Sequence, residues 1–270
     1  ENNLIYFSFS HPKGRRSFTA VARSELKSDS LVDLKIVYKA PEQLYTRSPY
    51  HFGSRILFDN KFLYFSIGDR GEMNDAQDLS KPNGKIHRIL DNGDIPIDNP
   101  FSDINGNKSS VWCFGNRNPQ GLAMDIDGGI WELEHGPKGG DELNIIKKGH
   151  NYGWPIITYG INYNGRIISD KTHMEGMEQP VWHWTPSIAV CGMKFYYGSS
   201  FSPWSGDILV TSLKFEYLER VIIDNGVRIG SETIYEPGSR VRDVEVGPNG
   251  NIFVALENPG RIVRLTRIKK

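Results

Sequence analysis

The sequence predicts an all-β fold, and three observations carry that expectation. Helical periodicity is nearly absent along the 270 residues. Short runs rich in Ile, Val, Tyr and Phe alternate with clusters of Gly, Asn, Asp and Pro, the pattern of many antiparallel strands. A hairpin signature then recurs along the chain, which points to a repeat architecture.

Taken in order, residues 4–9, 18–22 and 32–38 read as three strands. A first full hairpin covers residues 54–67 and leads into Gly68-Asp69. A second covers 121–133 around Asp127-Gly128 and leads into His135-Gly136-Pro137; an Asp-Gly pair between apolar runs is a strong hairpin signal. A third joins 193–197 to 207–212 through a turn near 204–206 and leads into Lys214. The fourth spans 243–256 around Asn249-Gly250 and leads into Glu257-Asn258. Further strand-like runs follow at 85–90, 218–223 and 261–265. Repeats of several strands with variable insertions predict a β-propeller, each blade a small antiparallel sheet, with a β-sandwich as the rival. The three N-terminal strands read as a blade lacking its innermost strand. A propeller usually closes its ring by pairing chain ends, so the expectation is one propeller domain over residues 1–270, N-terminally incomplete.

Composition narrows the function classes. The 32 basic and 32 acidic residues cancel, so there is no cationic excess of the kind that nucleic-acid binding needs. A hydrophobic fraction of 38% suits a packed globular protein rather than a disordered one. No apolar run is long enough to span a membrane. No signal peptide stands in the sequence, and Glu1 is not a natural start, so a processed or truncated N-terminus is expected. Cys113 and Cys191 are expected as two buried free thiols.

In a blade, the start of the inner strand and the loop after the second strand share one face. That rule gathers His51 with Arg55, Arg117 with Asn118, the 184–191 segment, and Arg240 with Arg242. Opposite them in the repeat stand Asp69, Gly136-Pro137, Lys214 and Glu257-Asn258. Such a set suits an anionic, polar ligand with a general base beside it. Each residue alone has a bland reading: His51 as a core or surface histidine, the arginines as solvated, Gly136-Pro137 as a turn. The acidic cluster Glu132, Glu134, Asp141 and Glu142 reads as a solvated rim. Equivalent places in the repeat are what favour a site.

Several motifs, in order, resemble the soluble PQQ-dependent glucose/aldose sugar dehydrogenases. They are His51-Phe52-Gly53-Ser54-Arg55, Ile67-Gly68-Asp69-Arg70-Gly71, Gly115-Asn116-Arg117-Asn118-Pro119-Gln120-Gly121, Gly149-His150-Asn151-Tyr152-Gly153-Trp154-Pro155, Ser212-Leu213-Lys214 and Arg240-Val241-Arg242-Asp243. Short insertions favour the aldose branch. The resemblance implies a six-bladed propeller with pyrroloquinoline quinone (PQQ) across the channel mouth. It implies His51 as the base that takes the anomeric hydroxyl proton, and Asp69 as the group that orients it. Arg117 and Asn118 would contact the quinone oxygens, and Lys214, Arg240 and Arg242 the cofactor carboxylates. Calcium would bind the carbonyls of Gly136 and Pro137, and a second calcium would match Glu142 and Tyr152. Trp184 would match an aromatic platform for the aldose sugar. An external electron acceptor, a monomer or homodimer, and a periplasmic or secreted setting complete the implied picture. Two departures stand out. The family's first blade is expected to be missing, along with a glutamine-bearing stretch that touches the cofactor, and the position after the Asp69 loop that offers a glutamine in the glucose enzyme falls near Asn74, with Gln77 as its substitute. The competing readings are a propeller binding module without catalysis and a calcium-dependent propeller lactonase.

Overall fold

A computed structural model of the chain describes residues 3–268. It is all-β, with eighteen strands in five antiparallel sheets and only three short 3-10 turns among the described residues. Every sheet is a meander in which sequential strands pair, the blade pattern of a β-propeller.

The first blade has three strands, β1 (Leu4–Lys13), β2 (Arg16–Lys27) and β3 (Ser30–Lys39). The second has four: β4 (Ile56–Asp59), β5 (Phe62–Ile67), β6 (Lys85–Leu90) and β7 (Val111–Phe114). The third runs through β8 (Pro119–Met124), β9 (Ile130–Glu134), β10 (Asp141–Ile146) and β11 (Trp182–Trp184). The fourth holds β12 (Val190–Phe195), β13 (Ile208–Ser212), β14 (Leu218–Asp224) and β15 (Val227–Tyr235). The fifth holds β16 (Val241–Val246), β17 (Ile252–Leu256) and β18 (Arg261–Leu265). The four expected hairpins are therefore β4–β5, β8–β9, β12–β13 and β16–β17. The described residues hold five blades, not the six that the family resemblance implies.

The chain divides into two compact units. One comprises Glu1–Pro119 with Lys147–Pro155, the other Gln120–Ile146 with Ile156–Lys270. In the first unit, Phe18 and Val21 of β2 pack against Leu63, Phe65 and Ile67 of β5 and Ile89 of β6. In the second, Trp131, Leu133 and Leu143 of the third blade meet Val190, Met193, Ile208 and Val210 of the fourth. Leu209 and Leu218 then meet Val241, Val244, Ile252 and Val254 of the fifth. Central strands such as β5 and β13 are apolar on both faces because each face meets a neighbour, so they read as continuous runs rather than alternating ones. Cys113 and Cys191 are buried free thiols, as expected.

Leu133 is fully buried between two blades. Leu133→Ala should lower the unfolding free energy by about 2–5 kcal/mol, the range for a leucine cavity. A urea titration with unchanged slope checks this.

Candidate functional site

The site residues of the first unit gather around Asp69. β5 ends at Ile67, and Gly68 follows because a side chain there would strike the His51 carbonyl. Gly53 lies just as close to the other strand: a Cβ on it would meet the Gly68 nitrogen at 2.8 Å. The loop bearing His51 therefore rests backbone on backbone against the end of β5. Asp69 is only 1% exposed. Its Oδ1 accepts from His51 Nδ1 at 2.6 Å and from the Gly71 amide at 2.7 Å. Its Oδ2 accepts from the Trp154 indole at 2.9 Å. Its own amide donates to the Arg117 carbonyl at 2.7 Å.

This arrangement determines the tautomer of His51. A carboxylate only accepts, so the ring proton sits on Nδ1 and the lone pair on Nε2. The imidazole keeps 21% of its surface accessible, enough to meet a ligand. Arg117 and Asn118 are both buried; Arg117 lies over the Trp154 ring at 5.4 Å, and Asn118 Oδ1 accepts from the Gly53 amide at 3.1 Å. Tyr152 is buried too, its hydroxyl accepting from the Lys147 amide at 2.8 Å. Gln77 bonds Asn151 and the Trp154 carbonyl with its amide nitrogen, and Asn151 returns a bond to its oxygen. Gln77 thereby holds the 151–154 loop.

In the second unit a second buried carboxylate, Asp141, plays a comparable part. Its oxygens accept from the Gly136 amide at 2.9 Å, the Ser187 hydroxyl at 2.8 Å and the Ala189 amide at 2.7 Å. It thereby ties the Gly136-Pro137 turn to the segment before β12. Lys214 is exposed, with Nζ 5.0 Å from the Phe215 ring. Arg242 grips Glu257 through both Nε, at 2.8 Å, and Nη2. Arg240 reaches the other oxygen of Glu257 at 3.8 Å. Two guanidinium groups thus share the Glu257 carboxylate. Trp184 belongs to the core, its indole donating to Glu219 at 3.2 Å; it contributes to a cavity of about 330 Å3 lined with Trp182, His183, Thr185, Pro186, Ile188 and Phe215.

The acidic cluster is not a solvated rim. Glu132, Glu134 and Asp141 are buried, because β9 and β10 are interior strands that pair Glu134 with Glu142 and Glu132 with Asn144. Burial and then the Glu134 charge push the Glu142 carboxyl up to about 8 and the Glu132 carboxyl well above its usual range. Glu132 Oε1 and Asn144 Oδ1 are buried without a hydrogen-bond partner. Trp154 was present in a quoted motif, yet only the structure reveals its bond to Asp69. Of the described residues, no group of three or more His, Cys, Asp or Glu is placed to hold a metal. No helix among them is long and apolar enough to cross a membrane.

Comparison with known proteins places this geometry in context. A profile of the glucose/sorbosone dehydrogenase family matches residues 1–264. The aldose sugar dehydrogenase YliI of Escherichia coli (strain K12) is 39% identical over 276 residues, covering 98% of this chain and 74% of that protein. A solved glucose dehydrogenase superposes with a TM-score of 0.94 at 34% identity, covering 99% of this chain and 79% of the other. The PQQ-bound aldose sugar dehydrogenase of Streptomyces coelicolor gives a TM-score of 0.75 at 25% identity, over 98% of this chain and 76% of that one.

The glutamates imply a pH slope. In the metal-free protein the folded state keeps protons that the unfolded chain releases above about 4.5. Stability should therefore fall as pH rises from about 4.5 through about 8, by about 1.4 kcal/mol per pH unit for each retained proton. Glu132→Gln should flatten that slope in urea titrations across the range.

Proposed function

Because the chain belongs to the glucose/sorbosone dehydrogenase family, we propose that it oxidises aldose sugars at the anomeric carbon, with PQQ as cofactor and His51 as general base. The observation that carries this reading is the 2.6 Å bond from His51 Nδ1 to the buried Asp69 carboxylate. It supports a base whose Nε2 is available and whose ring cannot rotate freely.

The donor chemistry fits the cofactor. Arg240, Arg242 and Lys214 would hold the three carboxylates of the cofactor by charge-assisted hydrogen bonds, the two arginines exchanging their bonds to Glu257 for it. Arg117 and Asn118 would contact the quinone oxygens. Bound PQQ would supply the two-electron acceptor for the sugar's C–H carbon. The chain's own part is to take the proton. Nε2 of His51 receives it from the anomeric hydroxyl, and the imidazolium so formed is stabilised by its bond to Asp69. Arg117, half-stacked on Trp154, supplies fixed positive charge where negative charge develops on oxygen.

Calcium fits as a cation that prefers oxygen. One ion would use the carbonyls of Gly136 and Pro137, in a turn that Asp141 holds in place. A second would use Glu142 and Tyr152; the partnerless oxygens of Glu132 and Asn144 make the neighbourhood of Glu142 rich in acceptors. The cavity edged by Trp184 is the proposed sugar platform. The six-bladed ring of the family, the external electron acceptor, a monomeric or homodimeric state and a periplasmic or secreted setting belong to the same reading.

Dye-coupled turnover of aldoses by protein incubated with PQQ and calcium tests it. His51→Ala should cut turnover by about 10²–10⁴-fold while PQQ still binds. Asp69→Asn should fall between that variant and the parent. Lys214→Ala should instead weaken PQQ binding by about 1.5–3 kcal/mol, with a much smaller loss at saturating cofactor. Near-normal turnover in His51→Ala would overturn the mechanism, and reconstitution indifferent to chelation would remove calcium from it.

A further inference from the structure

The loop that carries His51 has no regular structure, so its backbone carbonyls need donors from elsewhere. The Phe52 carbonyl accepts from the Thr19 hydroxyl at 2.7 Å. The Ser48 and Tyr50 carbonyls both turn to one side chain, Arg70: Nη2 donates to Ser48 at 2.6 Å and Nη1 to Tyr50. The guanidinium carbon also lies 3.4 Å from the centre of the Phe52 ring. Arg70 thus grips the residues on both sides of His51 and touches nothing that a solvent-facing arginine would. It is fully buried, and burial drags its guanidinium down to about 10, still a cation at neutral pH.

A buried cation is costly, and a fold that needed only two donors could use a neutral side chain. What arginine adds is a planar fork that reaches two carbonyls at once and a flat face that stacks on an aromatic ring. The object of this grip is a strained residue. His51 has φ +53°, left-handed backbone that strains a non-glycine residue and persists only where its surroundings enforce it. Arg70 is joined covalently to Asp69, the acceptor of the His51 ring. One dipeptide therefore fixes the backbone of the histidine with one side chain and its ring with the other.

We propose that Arg70 is a positioning residue for the reaction, holding the Ser48–Phe52 segment so that His51 stays bonded to Asp69 with Nε2 directed to substrate. This rests on the reading of His51 as the base. Arg70 itself meets neither sugar nor cofactor. Arg70→Lys keeps the charge and loses the fork and the stacking face.

The test is a cycle of His51→Ala, Arg70→Lys and the double variant, assayed for sugar oxidation with PQQ and calcium. Arg70→Lys should lower kcat by about 10²-fold, the scale of a misplacement near 1 Å, while KM for the sugar and the Kd for PQQ stay within about threefold. In the His51→Ala background the same change should cost almost nothing, since a residue acting through His51 has nothing left to act on. A second readout needs no activity: in the apo protein the proton shared by His51 and Asp69 should give a downfield 1H resonance that Arg70→Lys broadens or removes. Phe52→Leu leaves every polar partner in place and should lower kcat several-fold; it decides the matter if the lysine variant does not fold. A folded Arg70→Lys protein with parental kcat and an intact resonance overturns the proposal, as does an equal loss in both backgrounds. If His51→Ala keeps its turnover, it is the base assignment that fails instead.

Discussion

The interaction on which the first unit's candidate site depends is a carboxylate buried without a bonded lysine or arginine. Asp69 is satisfied by an imidazole, an indole and an amide, and its backbone amide is tied to Arg117. Removing a carboxylate from water is expensive unless its lone pairs are filled, so the three donors are obliged to stay. That obligation is what makes the histidine rigid. It explains the two glycines as well: the His51 loop must lie against the end of β5 for its ring to reach Asp69, and only Gly53 and Gly68 allow the approach. Behind Asp69, Asn83 donates to its carbonyl at 3.2 Å, and the buried Lys85 caps the carbonyls of Asp75, Ala76 and Asn83. The acid stands on a floor built from polar groups that have all found partners.

Asp141 solves the same problem differently. Its donors are a hydroxyl and backbone amides, with no titratable partner. Burial outweighs those bonds and raises its carboxyl above the usual range. Asp69 thus orients a group that can exchange protons, while Asp141 only fastens loops. One side-chain type, placed just after the second strand in one blade and at the start of the third in another, bonds a titratable ring in the first case and fastens loops in the second.

The hairpins were legible because Asp-Gly and Asn-Gly pairs sit between apolar runs, as at 127–128 and 249–250. Strands β10 and β11 were not. Asp141 and Glu142 open β10 with two acids, and acids read as surface. Their burial depends on Ser187, Asn144 and the 189–190 amides, partners that pairwise spacing in a sequence cannot reveal. The three-residue β11 is too short for any period to show. Among site residues, His51 and Asp69 stood out by their place in the repeat. Arg70 did not, because nothing in a sequence separates an arginine buried under a loop from one exposed beside it. Gln77 shows the reverse: its type suits a ligand contact, and its exchange of bonds with Asn151 is visible only in the structure.

What separates the arginines of this chain is the kind of oxygen each one faces. Arg240 and Arg242 share Glu257 and are partly exposed, so water reaches these ion pairs and weakens them. Arg70 faces only carbonyl oxygens and a ring, and it is sealed from water. No anion can displace those partners without first unfolding the loop. A cation bonded to buried backbone carbonyls is therefore a fixed part of the frame, whereas one shared with a carboxylate at the surface is less firmly held. By that criterion the arginines proposed to receive a ligand differ from the one proposed to hold His51 in their partners and not in their side chain.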